Sequence, residues 1–337
     1  MVPKSHMIIE PGLKIAAQMA AEPSEEDFRF AIQMGINYAV AWCEPGKASA
    51  EYYKFCKGLF DQNGIRLYGL GNGSVHNVAE ITLNLPGRDK KMEEYKLHLK
   101  NLGQAGIPYT TYAHMANGVW STPRELTRGN ASARAFNLDR LGEAAAGGGF
   151  GTKPELERDY TEEEIWENYT YFIQEVSPVA EEAGVRIGIH PDDPPGLILG
   201  RVPRPIFSSF KGYKRALEIA DSPNVGLCLC IGCWLEGGEM MGKGVEETIR
   251  YFGSQGKIFK VHYRTVDKPL PHFIEAFVDD GYFDMYKAMK GLGEVGFNGV
   301  LIPDHIPTMG GDHRIGTAYT LAYMKALMQR ANEELAG

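Results

Sequence analysis

Residues 190–195 read His-Pro-Asp-Asp-Pro-Pro, placing an imidazole and two carboxylates directly after a short apolar run, Val185 to Ile189. That run has the length and β-branched content of a buried strand. Pro191 fixes its own φ and keeps His190 out of the helical region, and Pro194 does the same to Asp193. A strand thus delivers three ligand-type side chains on a stiff loop, as a metal or proton-transfer site requires. The plainer reading is a polar turn punctuated by prolines, but such a turn has no need of three such groups.

Three later runs end in the same kind of residue. Cys230 closes Val225–Cys230, His262 lies at the end of Lys257–Tyr263, and Asp304-His305 follows Gly299–Ile302. Two imidazoles, a thiolate and a carboxylate make a four-ligand set for Zn²⁺, Fe²⁺ or Mn²⁺. The thiolate favours the softer ions, whereas a hydroxy-acid substrate brings oxygen donors that suit Mn²⁺ or Fe²⁺. Each residue also has an ordinary reading: buried cysteines mostly pack, and Cys228 or Cys233 competes with Cys230. Strand alternation puts Cys228 and Cys230 on one face, so position along the strand separates them. Arg264, two residues past His262, shares its face and suits bidentate capture of a carboxylate. His76, beyond the glycine-rich loop Gly69 to Gly73, is a further candidate, with a place on the surface as its ordinary reading.

Positioning those four ends requires parallel strands. Strand-like runs at Leu13–Gln18, Ile36–Trp42, Ile65–Leu70 and Ile107–Tyr112 precede the four above, and a helix-like run follows each of the eight. Acids open the first helix after Ser24, and Thr161 with Glu164 forms a capping box. Eight such units over 13–337 predict a single α/β domain, a (β/α)8 TIM barrel with right-handed crossovers. No G-x-G-x-x-G follows the first run, which argues against a dinucleotide-binding sheet. The stretch 113–160 after strand four, with Gly147-Gly148-Gly149 near its end, is too long for a plain loop. It predicts a segment covering the substrate and containing some helix. Residues 1–12 read as an N-terminal extension whose first seven residues look like a cloning remnant, so His6 is left out.

The 337 residues carry a net charge of −8 with no basic block, against a nucleic-acid or anionic-membrane partner. No apolar stretch approaches the ~18 residues of a membrane span. Five cysteines, three of them at 228, 230 and 233, do not build a disulfide scaffold and suit a reducing cytoplasm.

Several segments together resemble the D-mannonate dehydratase family of the xylose-isomerase-like barrel group. They are Tyr160-Thr161 through Val179-Ala180-Glu181-Glu182-Ala183-Gly184 to His190–Pro195, Leu85-Pro86-Gly87-Arg88-Asp89, Asn101-Leu102-Gly103 to Ala105-Gly106-Ile107, Val261-His262-Tyr263-Arg264 and Pro303-Asp304-His305. The likeness runs from about Ser74 to the last helix. It implies removal of water from an aldonic acid, most specifically D-mannonate, to a 2-keto-3-deoxy acid, with Mn²⁺ or Fe²⁺ as cofactor. The family's metal positions fall on His190, Cys230, His262 and Asp304, and its aromatic acid/base on Tyr319, with Tyr323 nearby. One departure concerns the segment after strand four: the family's Asp-Trp-Thr-Arg is here Val119-Trp120-Ser121-Thr122, which keeps the tryptophan without the acid and the arginine. The loop after Pro195 departs too, with Arg204-Pro205 where the family tends to an aliphatic residue after Arg.

Such a dehydration takes a proton from C2 and expels the C3 hydroxyl, so it needs a base, an acid and charge stabilisation. Asp193, His305 and Tyr319 are the proton-transfer candidates. Asp192 is expected to orient a ligand histidine or meet substrate, and Arg264, Arg204, Trp120 and His76 to bind substrate. The expected partner is a small sugar acid, and a homo-oligomer, dimer or tetramer, is expected. The competing readings are a metal-dependent sugar isomerase or epimerase on the same barrel, a dehydratase of a related aldonate, and a non-catalytic sugar-acid sensor.

Overall fold

Parallel strands close around a filled lumen in this computed structural model, which describes residues 9–44, 46–143 and 156–337, with only the backbone of His313. The barrel strands are β1 (Ala17–Ala20), β2 (Tyr38–Cys43), β3 (Arg66–Asn72), β4 (Tyr109–Ala113), β5 (Arg186–His190), β6 (Val225–Cys230), β7 (Ile258–Tyr263) and β8 (Val300–Pro303). Parallel ladders join β1 to β3 and β4 to β8 in sequence order. The ring closes where Ile15 bridges Leu301, with Ala16 N donating to Leu301 O and Leu301 N to Lys14 O, both at 2.8 Å. The first strand therefore begins later than the predicted Leu13–Gln18, because residues 13–16 make this closing contact instead. The α/β barrel expected from the alternation is the architecture observed.

The outer helices are α1 (Glu25–Gln33), α2 (Ala50–Gln62), α3 (Arg88–Ala105), α4 (Glu162–Ala183), α5 (Phe210–Ala220), α6 (Val245–Ser254), α7 (Met285–Glu294) and α8 (His313–Ala336). Their starts follow from local chemistry. Thr161 Oγ1 accepts from Glu164 N at 3.2 Å, while Thr161 N donates to Glu164 Oε2 at 2.8 Å, the reciprocal cap read from the sequence. α4 then buries Ile165, Tyr169, Phe172, Ile173, Val176 and Ala180 at three- and four-residue spacing. It stops at Gly184, whose φ of 67° suits glycine.

Tyr38, Val40, Tyr68, Tyr109, Phe259, Val300 and Ile302 fill the lower lumen. The Tyr109 ring lies between Gly69 and Gly188, neither of which has room for a side chain. A Cβ at Gly188 would sit 2.7 Å from a Tyr109 ring carbon, and one at Gly69 would sit 2.5 Å from another. Gly188→Ala should therefore destabilise the barrel by about 1–3 kcal/mol through overpacking. Urea unfolding is the check, and an unchanged midpoint would show that the ring moves freely.

A bulge shapes the upper lumen. Leu227 pairs with Ile258 but Cys228 pairs with Lys260, skipping Phe259, so that Cys230 lies opposite His262. Two cysteines on β6 and two cationic residues on β7 thereby share the inner face.

Above the mouth sits a four-stranded antiparallel sheet, and the helix expected in 113–160 is represented among the described residues by the short 3-10 turns Arg128–Asn130 and Leu138–Arg140. Thr122–Thr127 and Ala131–Asn137 form a hairpin, and His272–Ala276 pairs with the second of these and with Thr265–Val266. Alternation in Ala131-Ser-Ala-Arg-Ala-Phe-Asn explains the outcome: period two puts Arg134 and Phe136 on one face. Phe136 stacks on Phe273, their ring centres 6.0 Å apart. Residues 144–155, including the triple glycine, lie outside the described part, as do residues 1–8 of the expected extension. Of that extension, Glu10 is tied to the barrel floor by Arg66 at 2.6 Å and Tyr38 at 2.8 Å.

Candidate metal centre

His190, Cys230 and His262, at the ends of β5, β6 and β7, converge at the barrel mouth, and Asp304, just after β8, adjoins them through His262. One donor atom each from His190, Cys230 and His262 lies within 4.8 Å of the others. His190 Nε2 is 3.2 Å from His262 Nδ1, and Asp304 Oδ2 is also 3.2 Å from His262 Nδ1. Donors at roughly 2.1 Å from one ion stand roughly 3.0–3.4 Å apart, so these separations are those of neighbouring ligands. Cys228 lies one strand repeat deeper and is outside the cluster.

Each of these side chains is held in place by its neighbours. His190 Nδ1 donates to the Pro191 carbonyl at 2.7 Å, which leaves Nε2 to face the cluster. Asp192, expected to orient a histidine, instead accepts from Ser208 Oγ at 2.8 Å. Cys230 caps the short helix Ile231–Gly237, its sulfur accepting the Cys233 N–H at 3.4 Å. Burial opposes a thiolate there, but Cys233, Arg264, His190 and His262 outweigh it and hold Cys230 well below the usual thiol range. Asp304 is likewise held well below the carboxylate range, burial being overcome by His305, His262 and Arg264. Burial disfavours charge on His262 too, yet Cys228 and Asp304 raise its pKa well above normal. The centre thus favours a thiolate and a carboxylate and draws positive charge towards them. His262 Nε2 is buried without a hydrogen-bond partner among the described residues. This donor set, with its excess of negative charge, fits a divalent transition ion.

A buried ionic layer surrounds the centre. Arg264 Nε donates to Asp304 Oδ2 at 3.2 Å, Nη1 to Glu236 at 2.6 Å, and Nη2 to Asp193 at 3.0 Å and Cys233 Sγ at 3.2 Å. The carboxylates it grips are the protein's own. Arg134 descends from the covering sheet to Glu275 at 2.8 Å, the Trp120 carbonyl at 2.9 Å, Ser121 Oγ at 2.8 Å, and Asp193. It therefore supplies an arginine to the tryptophan segment that lacks one in sequence. Asp193 lies between these two guanidinium groups, which overcome burial and keep it ionised. Glu236 has one oxygen without a partner, and burial pushes it up to about 7.

His305 follows Asp304 with φ 43°, a left-handed backbone that costs a non-glycine residue of order 1–3 kcal/mol. Its Nδ1 bonds Glu275 at 2.7 Å and its Nε2 lies 4.0 Å from Asp304. Burial works against its charge, but Asp304 and Glu275 raise it to about 9. A cleft of 580 Å³ opens from Asp304 and His305 towards Gln18, Met19 and Arg314.

The remaining expected residues are more scattered. His76 bonds the Thr111 carbonyl through Nδ1 at 3.0 Å, and burial lowers it to about 4, so it is neutral. Arg204 donates to the carbonyls of Pro194 at 3.0 Å and Gly118 at 2.5 Å, tying two loops together. Trp120 is buried, its amide donating to the Asp193 carbonyl at 3.1 Å and its Nε1 without a partner among the described residues. Tyr319 is not brought to the cluster: its hydroxyl accepts from Arg128 Nη2 at 3.4 Å. Arg134, Glu236 and Glu275 escaped the sequence reading. The only signal was a charged residue on the buried face of an alternating run.

The titrating groups set a pH signature for metal-free protein. His305 has a raised folded pKa, so its contribution is complete below about 6.5 and is lost as pH rises through about 9. Asp193, Glu275 and Asp304 are lowered, so theirs is present above about 4.5 and lost as pH falls below it. Urea unfolding should show a fall between pH 6.5 and 9.5 that His305→Gln flattens. An equal fall in that variant would assign the alkaline arm elsewhere.

The family profile of D-mannonate dehydratase (UxuA) matches residues 148–331. Mannonate dehydratase 2 of Halalkalibacterium halodurans is 31% identical over 272 residues, covering 72% of this chain and 76% of that protein. The chain belongs to the D-mannonate dehydratase family. It is an enzyme of the hydro-lyase class. Among solved structures, mannonate dehydratase from Streptococcus suis serotype 2 superposes with a TM-score of 0.84 at 23% identity, covering 97% of this chain and 95% of that one. A xylose isomerase domain protein from Planctomyces limnophilus gives 0.62 at 13% identity, covering 96% and 99%, a likeness of fold. Among the described residues, no helix is long and apolar enough to cross a membrane.

Proposed function

We propose that this member of the family dehydrates D-mannonate to 2-dehydro-3-deoxy-D-gluconate in the cytoplasm, using Mn²⁺ or Fe²⁺ held by His190, Cys230, His262 and Asp304. The observation that carries the reading is the convergence of His190, Cys230 and His262 from three successive barrel strands, with Asp304 from the fourth against His262. When bound, the cation supplies a Lewis acid for the oxygens of the substrate. Asp304 is kept ionised and in place by Arg264, a positioning residue. His305, held as imidazolium by Glu275 and bordering the cleft, donates its Nε2 proton to the departing C3 hydroxyl. Asp193 is the candidate for removing the C2 proton; Tyr319, paired with Arg128 away from the cluster, is not used. The Thr111 carbonyl fixes the His76 tautomer with hydrogen on Nδ1, leaving Nε2 to accept from a sugar hydroxyl. Arg204 and Arg134 hold the loops that carry Asp193 and Trp120, and Asp192 steadies the first of them through Ser208.

The test is a panel of aldonates assayed for 2-keto-acid formation by protein reloaded with Mn²⁺. Mannonate should be the preferred substrate. Turnover of another aldonate alone would change the substrate, and isomerised products without keto acid would favour an isomerase or epimerase. Binding without turnover of any aldonate would favour a sensor.

A further inference from the structure

Cys230 and Cys233 stand in a Cys-Ile-Gly-Cys sequence across the first turn of Ile231–Gly237, a spacing used by dithiol redox pairs. Cys230 Sγ accepts the Cys233 amide at 3.4 Å, which holds the second cysteine's backbone against the first one's sulfur. Arg264 Nη2 lies 3.2 Å from Cys233 Sγ, so a cation borders the pair. Both thiols are free and buried, but His190 and His262 keep 9% and 8% of their surface exposed beside them, so the pair borders the mouth. Cys228 lies two residues earlier on the same strand and is the alternative partner.

We infer that Cys230 and Cys233 form a reversible disulfide when the centre lacks its cation, with a hydroperoxide as oxidant. The Cys230 sulfur attacks the O–O bond, forming Cys230–SOH, while the Cys230 thiol proton joins the departing hydroxide as water. The Cys233 sulfur then attacks the Cys230 sulfur, the S–S bond forms, and the expelled hydroxide takes the Cys233 proton to leave as water. Two thiols lose two electrons in total, and one hydrogen peroxide becomes two waters. The bond formation needs only the two sulfurs. Its consequence, that the oxidised centre does not take up metal until a thiol reductant reopens it, rests on the ligand set proposed above. Prior metal binding would occupy the Cys230 sulfur and protect it.

The experiment treats chelator-stripped full-length protein with hydrogen peroxide, maps cysteines by alkylation and mass spectrometry, and then measures Mn²⁺ uptake by equilibrium dialysis. The expected result is a linked Cys230–Cys233 peptide, at least a tenfold drop in Mn²⁺ bound, and recovery of both with dithiothreitol. Mn²⁺-loaded protein should stay reduced under the same treatment. Cys233→Ser should give no linked peptide and leave Cys230 at the sulfenic acid or a higher oxide. Both thiols remaining alkylatable after peroxide, or a disulfide mapped to Cys228, would overturn the inference. A linked Cys230–Cys233 peptide with Mn²⁺ uptake intact would leave the redox pair standing and contradict Cys230 as a ligand.

Discussion

Cys230→Ala should yield a folded protein that neither retains Mn²⁺ nor turns over a sugar acid. The thiolate is the softest donor of the cluster and the one held furthest inside, capping the Ile231–Gly237 turn. Its loss leaves two imidazoles and a carboxylate, and Arg264 remains bonded to that carboxylate. Removing an outer-shell partner of a metal site typically costs about 10–100-fold in affinity, so removing a direct donor should cost at least that. Metal analysis after gel filtration, with the keto-acid assay alongside, checks both halves. Circular dichroism separates metal loss from unfolding. Wild-type turnover by a metal-free Cys230→Ala variant would remove the metal from the account.

The second large effect concerns Arg134. It is buried among Asp193, Glu275 and Glu236, and it also ties the covering sheet to the Trp120 carbonyl. Arg134→Ala leaves carboxylates without that partner in a dry environment, a change worth about 3–5 kcal/mol when one side of a buried ion pair is deleted. Denaturant unfolding should report a loss of that size. Catalysis should fall as well, since Glu275 also holds His305. Arg134→Lys should recover only part of either, because a point charge cannot serve several acceptors in a planar fork. Should the alanine variant fail to fold, the lysine variant carries the comparison. A stability change under about 1 kcal/mol for either variant would show the network to be dispensable.

What the sequence disclosed follows physical range. Alternating apolar runs with caps such as Thr161/Glu164 are local signals, and they located the barrel. His190, Cys230, His262 and Asp304 were visible because parallel barrel strands must present their ends at one rim, whatever lies between them. The covering sheet was not anticipated, because its hairpin is short and its partner His272–Ala276 lies more than a hundred residues further along the chain. For the same reason Arg134 could not be linked to Asp193 or Glu236, 59 and 102 residues away. No spacing rule connects residues that meet only when a lid settles on a barrel. Arg264 was recognised as a carboxylate binder by its place beside His262, but the identity of its carboxylates depended on those same unseen contacts.

The most direct measurement is a crystal structure of the Mn²⁺-loaded protein with anomalous scattering collected for manganese. A single strong peak within roughly 2.0–2.6 Å of donor atoms from His190, Cys230, His262 and Asp304 is the predicted result, allowing for a long sulfur bond. A peak held by other residues, or these four side chains turned away from it, would contradict the assignment.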